Sequence, residues 1–275
     1  MRILLCLLLS FSSLAWAKAE RVVSLAPSLT EVMFDLGAES SLVGILEGGK
    51  RPAAAAHIPS IGSHGQLNLE LLLTLKPDLV LYWPGSIQNS QKQAIEQLGI
   101  RVFDASTNDL ASYTLLFQRL GDELGYSQQG AELTAQAQQR IAQMRQTYQR
   151  EVPIRVFYQI WDKPMFTLGG QQIISEILQV CGAQNIFSDI AMAAPQVDRE
   201  AVMLRNPDVI LTSTEALVET WKPWTTINAV RQQQVISVLD HGVERPSYQM
   251  LDAMQMLCEQ LKPMQVIPSS KATAN

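Results

Sequence analysis

Between Ser127 and Arg150 the chain carries no glycine after Gly130, and no proline occurs until Pro153. Apolar residues recur there at Leu133, Ala137, Ile141, Met144 and Tyr148, with spacings of 4, 4, 3 and 4. That period places them on one face of a single helix of roughly twenty residues, ~30 Å long. On either side the pattern changes to short β-branched runs alternating with short amphipathic segments. Before the helix, strands are expected at Arg21–Leu25, near Leu42–Leu46, at Leu79–Trp83 and at Ile100–Asp104. Helices are expected from Ser28 to Gly37, from Asn68 to Lys76 and from Gln88 to Leu98, with Ser28 and Glu31 at the spacing of a capping box. After the helix the alternation starts afresh, with strands at Arg155–Ile160, Val209–Thr212 and Val235–Leu239. Helices follow at Ser175–Val180, Glu200–Arg205 and Ser247–Leu261. Strands alternating with helices predict parallel sheets covered by helices. The expected fold is therefore α/β: two Rossmann-like lobes with central parallel sheets, each with its own core, joined by one long α-helix.

Two internal echoes support related lobes. The segment from Glu70 through Pro77-Asp78 to Leu81 matches the segment from Glu200 through Pro207-Asp208 to Leu211 at a constant offset of 130. The run Thr30 to Ala38 resembles Ser175 to Ala183 at an offset of 145. Both echoes occur in the same order on either side of the long helix.

The amino terminus reads as an export signal. Met1-Arg2 precedes the apolar run Ile3–Leu9, and Ala15-Trp16-Ala17 supplies small residues at −3 and −1. Cleavage after Ala17 is expected first and after Ala19 second. The apolar run is shorter than the ~20 residues a spanning helix needs. The chain then divides into residues 1–17 as signal, 18–126 as first lobe, 127–150 as connecting helix, 151–263 as second lobe and 264–275 as a Pro/Ser/Ala/Thr-rich tail. Of the three cysteines, Cys6 leaves with the signal. Cys181 and Cys258 then form one disulfide or stand as two buried thiols, and an exported chain favours the bridge. A net charge of −5 excludes a broad phosphate-binding face, so no nucleic-acid partner is expected.

Enzyme motifs are missing: there is no G-x-S-x-G, no Walker A loop, no H-E-x-x-H and no C-x-x-C. The three histidines are His57, His64 and His241, without helical ligand spacing. An exported zinc hydrolase using His64 and His241 with Glu47 is the enzymatic alternative. More telling are two aromatic strand ends, Tyr82-Trp83-Pro84-Gly85 and Trp161-Asp162-Lys163-Pro164. In open α/β sheets ligands bind beyond the carboxyl ends of strands, where rigid aromatics suit a large, partly flat molecule. Trp221 and Trp224 flank Pro223 as either a lid or local packing.

These residues resemble the periplasmic solute-binding proteins of ABC importers, in the class whose lobes are joined by one long helix and which carry cobalamin, ferric siderophores or haem. RVVSLAPSLTE and LNLELLLTLKPDLVL carry the class. FTLGG, ILQVCGAQNIF, PQVDRE and the Cys181/Cys258 pair are most similar to its cobalamin-binding branch. The resemblance implies a periplasmic, monomeric capture protein without enzymatic activity or cofactor, cobalamin being its transported ligand. It implies that Glu70 and Glu200, one per lobe, dock on arginines of the two permease subunits at the inner membrane. It places Pro27, Trp83 and Arg245 in the ligand cleft. The chain departs from the branch where Gly48, His64, Ala194 and Gly242-Val243 stand at aromatic positions. Trp161 and His241 are expected to compensate from neighbouring positions, and Lys50, Arg51 and Lys163 to join Arg245 at the mouth. The expected ligand set is thus Pro27, Gly48, His64, Trp83, Trp161, His241 and Arg245. Haem or a ferric siderophore is the alternative ligand.

Overall fold

The computed structural model describes residues 19–48, 51 and 53–266; the expected signal over residues 1–17, Lys50 and the expected tail beyond Val266 lie outside the described residues. The first half contains β1 (Val22–Ser24), α1 (Pro27–Asp35), β2 (Leu42–Glu47), β3 (Ser60–Ser63), β4 (Gln66–Leu67), α2 (Leu69–Thr74), β5 (Leu79–Tyr82), α3 (Asn89–Gln97) and β6 (Arg101–Asp104). Two long helices follow, α4 (Leu110–Leu124) and α5 (Ser127–Tyr148). The second half contains β7 (Ile154–Asp162), β8 (Met165–Thr167), α6 (Ile173–Val180), β9 (Ala183–Asn185), α7 (Arg199–Arg205), β10 (Val209–Thr212), α8 (Glu215–Trp221), α9 (Asn228–Arg231), β11 (Val235–Ser237) and α10 (Met250–Leu261). The result is a two-lobe α/β fold.

The sheets share a parallel centre, β2-β1-β5-β6 in one lobe and β9-β7-β10-β11 in the other. They are not wholly parallel, because β4 joins β3 and β8 joins β7 in antiparallel sense. Both additions are sequence neighbours joined by short turns, and such connections can only return antiparallel.

The echo at offset 130 is a shared construction. Asn68 caps α2 by accepting from the N–H of Leu71 (2.9 Å), and Asp198 caps α7 by accepting from the N–H of Ala201 (2.8 Å). Each helix ends on a left-handed residue, Lys76 (φ 47°) or Asn206 (φ 42°), followed by Pro-Asp. The Asp78 carboxylate accepts from the N–H of Glu20 (2.9 Å), and Asp208 accepts from the N–H of Arg155 (3.0 Å). Arg21 and Arg155 then donate to the terminal carbonyls of Leu75 (2.6 Å) and Arg205 (2.5 Å), which have no partner within their helices.

Three local expectations change. Ser28 is not a helix cap: Ala26 is the extended N-cap residue and Pro27 opens α1, as suits a residue with fixed φ and no N–H to lose. Helix α4 has no counterpart among the sequence-based expectations, although Leu110, Tyr113, Leu116, Leu120 and Leu124 are all buried at helical spacing. It doubles back onto α5 in a tight helical hairpin. A Cβ on Gly130 would lie 2.6 Å from the carbonyl oxygen of Phe117, so only glycine permits this approach. Third, the lobes do not have two separate cores. One continuous cluster runs from Leu29 and Val32 of α1, through Phe117, Leu133 and Ile141, to Ile177 and Leu257 of the second lobe. Two smaller clusters fill the opposite faces of the sheets, around Leu72 and Val80 in one lobe and Phe157 and Trp221 in the other. The expected stripe on α5 is buried in the shared cluster, which makes that helix a wall common to both lobes.

Cys181, at the end of α6, is bonded to Cys258 in α10, and both are buried. The bridge closes a loop with a sequence separation of 77. A Cys181→Ser/Cys258→Ser variant is expected to lose roughly 2–5 kcal/mol of stability. Urea unfolding of this variant beside the oxidised wild type measures the loss; coincident curves would mean that the bridge constrains nothing.

Candidate functional site

The carboxyl ends of β1, β2 and β5 and the turn between β3 and β4 converge on one cleft of about 370 Å³. Pro27, Gly48, His64 and Trp83 line it from the first lobe, and Glu244, Arg245 and Pro246 close it from the second. Trp83 is half-buried and stands at the head of a turn through Pro84 and Gly85. Ser86 donates to the Trp83 carbonyl from its N–H (3.0 Å) and its hydroxyl (2.7 Å). Proline in the second position and a left-handed glycine (φ 88°) in the third make this a type II turn, which holds the indole on a rigid base. The N–H of Gly65 donates to the carbonyl of Ser86 (3.3 Å), which ties the His64 turn to the Trp83 turn. A Cβ on Gly48 would come within 3.0 Å of the Pro27 ring, so those two residues form one wall.

The second-lobe side of the cleft is clamped to the first lobe. The Tyr113 hydroxyl of α4 donates to the carbonyl of Ser247 (3.0 Å), and the Tyr248 ring meets Phe117 edge to face at 5.8 Å. Arg245 lies 3.6 Å from Glu31, and the Gln249 amide donates to Asp35 (3.3 Å). Glu31 and Asp35 are one turn apart on α1, and each keeps one buried oxygen without a partner. Burial pushes the Asp35 carboxyl up to about 6, against the hydrogen bonds from Gln249 and the Tyr248 backbone; repulsion from Glu31 adds to the rise. The Tyr158 hydroxyl donates to Glu244 (3.1 Å), and burial followed by that carboxylate raises the tyrosine's pKa far above its ordinary value.

The expected ligand set is divided. Pro27, Gly48, His64, Trp83 and Arg245 share the cleft. Trp161 lines a separate hollow of about 490 Å³ at the carboxyl ends of β7 and β10, with Asp162, Lys163, Ser213 and Leu217. Its ring is 62% exposed, and its indole N–H donates to the Lys163 carbonyl (3.3 Å). His241 lines neither cavity; it opens a 3₁₀ turn with its side chain half-exposed, 3.9 Å from Glu244. Arg51 is not at the mouth either, being held by Glu47 and by the carbonyls of Ala55, Ala56 and Ile58. His64 and Glu47 line the cleft without His241, and among the described residues no group of three His, Cys, Asp or Glu side chains gathers in metal-binding reach. The zinc alternative therefore has no ligand set there.

Trp221 is packing and not a lid: it is fully buried, donates to Gln159 (2.7 Å) and meets Phe157 edge to face. Trp224 packs beside it, with the Arg199 guanidinium over both rings. Glu70 and Glu200 are exposed in the first turns of α2 and α7, where the helix dipole favours a carboxylate. Glu31, Asp35 and Glu244 do not figure among the sequence-derived site residues. A same-sign pair four residues apart on an otherwise apolar helix is the signal that marks the first two, since like charges at that spacing need an outside reason.

The folded state holds the Asp35 proton up to about pH 6, whereas the unfolded chain releases it near the ordinary aspartate value of 3.8. This group's favourable contribution is thus complete at low pH and is lost as pH rises towards 6. Asp35→Asn is expected to raise stability at pH 7.5 by more than at pH 4. Urea unfolding at the two pH values checks this; an equal change at both would contradict it.

The family model described as periplasmic binding protein matches residues 22–240. The chain is 33% identical over 267 residues to the Vitamin B12-binding protein of Vibrio cholerae serotype O1, covering 95% of this chain and 97% of that one. It is 32% identical over 260 residues to the Vitamin B12-binding protein of Yersinia pestis (strain Pestoides F), covering 93% and 91%. Among solved structures it is similar to the periplasmic Vitamin B12 binding protein BtuF of Vibrio cholerae, with a TM-score of 0.79, 33% identity and coverage of 89% and 97%. The periplasmic heme binding protein HutB of Vibrio cholerae shares the fold, with a TM-score of 0.77, 21% identity and coverage of 88% and 99%. Two lobes of matched sheet order, a shared helical wall and a cleft at the strand ends accord with these likenesses, and the chain belongs to the periplasmic binding protein family.

Proposed function

We propose that this protein captures cobalamin or a related corrinoid in its inter-lobe cleft and delivers it to an ABC-importer permease. The supporting observation is the cleft itself: a half-buried Trp83 on a rigid turn, facing Arg245 and Glu244 of the other lobe, in a chain similar over most of its length to proteins named for vitamin B12. A flat aromatic presents a large apolar face at little entropic cost, which suits a macrocycle. Trp161 extends this reading as a second exposed aromatic, at the strand ends of the other sheet. The work is binding and release without bond chemistry, and the protein acts as a monomer. A second reading, haem, is favoured by one observation: His64 presents an imidazole at the cleft, where the iron of a macrocycle takes nitrogen ligands.

The shared core through α4 and α5 supports a small rocking of the lobes rather than a wide hinge opening. We assign the lobes to residues 18–126 and 151–263, with 127–150 as connector. Glu70 and Glu200, set by equivalent caps in equivalent helices, serve as the permease contacts. Exposed ion pairs of this kind fix orientation more than they add affinity. The protein works in the periplasm after loss of its signal. Cleavage after Ala17 is favoured over Ala19 because Ala19 is fully buried in the shared core.

Titration of the mature protein with cyanocobalamin, haemin and a hydroxamate siderophore, followed by Trp fluorescence, tests the ligand. Cyanocobalamin is expected to quench at micromolar concentration or below, and Trp83→Ala to weaken binding about tenfold or more, the scale of one aromatic contact with its buried area. Quenching by haemin alone would replace the corrinoid reading with the haem one. A Glu70→Ala/Glu200→Ala variant is expected to bind ligand normally yet fail to support uptake. Lost ligand binding in that variant would refute the docking role.

A further inference from the structure

The exposed faces of α2 and α7 match in charge but not in apolar area. Glu70 on α2 and Glu200 on α7 are both exposed, and among the described residues neither accepts a hydrogen bond from a side chain or pairs with a cation. Four residues on, along the same face, stand Thr74 on α2 and Leu204 on α7. The Thr74 hydroxyl is turned back on its own helix, donating to the Leu71 carbonyl (2.7 Å). Leu204 is 89% exposed, the most exposed large apolar side chain among the described residues, and it packs into none of the three apolar clusters. One residue earlier both helices carry an apolar side chain, Leu73 (39% exposed) and the part-buried Met203, so the difference rests on Thr74 and Leu204. The neighbouring Arg205 is engaged by Asp189 (2.7 Å) and by the Ile186 carbonyl (2.5 Å). A lone exposed leucine is ordinary on a protein surface. This one stands one turn from one of two equivalent, unpaired carboxylates and has no counterpart beside the other.

We propose that Leu204 is the apolar anchor of the second lobe on the permease: it seats in an apolar hollow beside the cation that pairs with Glu200, and it gives the second-lobe contact the larger share of docking affinity. This rests on the docking reading of Glu70 and Glu200. The choice of occupant follows from charge. A lipid surface would bring anionic headgroups against Glu200. A second copy of this chain, seated through α7, would bring two Glu200 carboxylates together in molecules that each carry a net charge of −5. A protein surface that sets a basic side chain next to an apolar hollow satisfies both groups at once. An exposed ion pair fixes orientation and adds little affinity, whereas seating a leucine removes apolar area from water. The first-lobe contact, with Thr74 in place of Leu204, therefore depends more on charge.

The test measures binding of the mature protein to its cognate permease dimer in nanodiscs of phosphatidylethanolamine and phosphatidylglycerol, at low and high salt, with empty nanodiscs alongside. Leu204→Thr gives α7 the residue found on α2; it is expected to weaken binding about tenfold or more, by a similar factor at both salt concentrations. Leu204→Met keeps the apolar area and is expected to bind as the wild type does. Thr74→Ala is expected to cost less than about threefold, as a contact at the edge of an interface does. Glu200→Gln is expected to weaken binding at low salt and less so at high salt. A loss below about threefold in Leu204→Thr, or an equal loss in Leu204→Met or Thr74→Ala, would overturn the proposal; weakening by Glu200→Gln in the same series would leave the docking reading intact. Binding to empty nanodiscs, or self-association in sedimentation, that disappears in Leu204→Thr would assign the side chain to lipid or to a second copy and overturn the proposal as well. Wild-type affinity in both Glu70→Gln/Glu200→Gln and Leu204→Thr would overturn the proposal and the docking reading together.

Discussion

The approach of α4 to α5 at Gly121 and Gly130 governs how the rest of this molecule is held. Two backbones meet there closely enough that a single methyl group on either residue would strike its neighbour. Because the hairpin is so thin, α4 and α5 can pack against both lobes at once. The cluster that includes Phe117, Leu133 and Ile141 is therefore continuous with the cores on either side. Separate cores would leave the lobes free to swing about a linker. A shared one makes every change of inter-lobe angle cost buried apolar contact, at about 25 cal/mol for each Å² exposed. The disulfide between α6 and α10 reinforces the second-lobe part of the same cluster.

The cleft depends on that rigidity. Its first-lobe wall consists of strand ends and turns whose geometry is local: the Trp83 turn, the His64 turn bonded to it, and Gly48 against Pro27. Its second-lobe wall is the short segment from Glu244 to Gln249, which is docked onto α1 and α4 by Tyr113, Glu31 and Asp35. Two carboxylates with buried, unpartnered oxygens are an expensive way to hold a loop. Their position gives a reason for the expense, since Glu31 faces Arg245 from behind while Asp35 holds Gln249, and the cleft lining keeps an acidic bias. A neutral ligand is compatible with that bias.

Matched construction of the two halves extends from sheet order to single hydrogen bonds. Asn68 and Asp198, Lys76 and Asn206, Asp78 and Asp208, and Arg21 and Arg155 fill the same places. Glu70 and Glu200 therefore sit at equivalent points on two equivalent helices. The match is incomplete next to these carboxylates. Leu204 is 89% exposed on α7, where the equivalent position of α2 is Thr74, so the two faces share charge but differ in apolar area.

Much of this architecture can be read from the chain because it is set by local rules. Periodicity alone places α5 and its buried stripe from Leu133 to Tyr148, and the Pro-Asp echoes place two equivalent helix-to-strand turns. The aromatic strand end at Trp83 announces one wall of the cleft for the same reason, since β5, its turn and its glycine are consecutive in sequence. Helix α4 was equally legible from its apolar spacing and its Asp109 cap. What only the tertiary structure decided are contacts between residues far apart in the chain. Glu31 has the spacing of a cap partner, but Pro27 opens the helix and leaves Glu31 to face Arg245. Trp161 lies in the last residues of β7 and His241 follows β11, yet neither lines the cleft with Trp83, whereas Glu244 and Arg245, a few residues beyond His241, do. Sequence spacing determines which face of an element a residue occupies; which element that face meets depends on how the two lobes pack against α4 and α5.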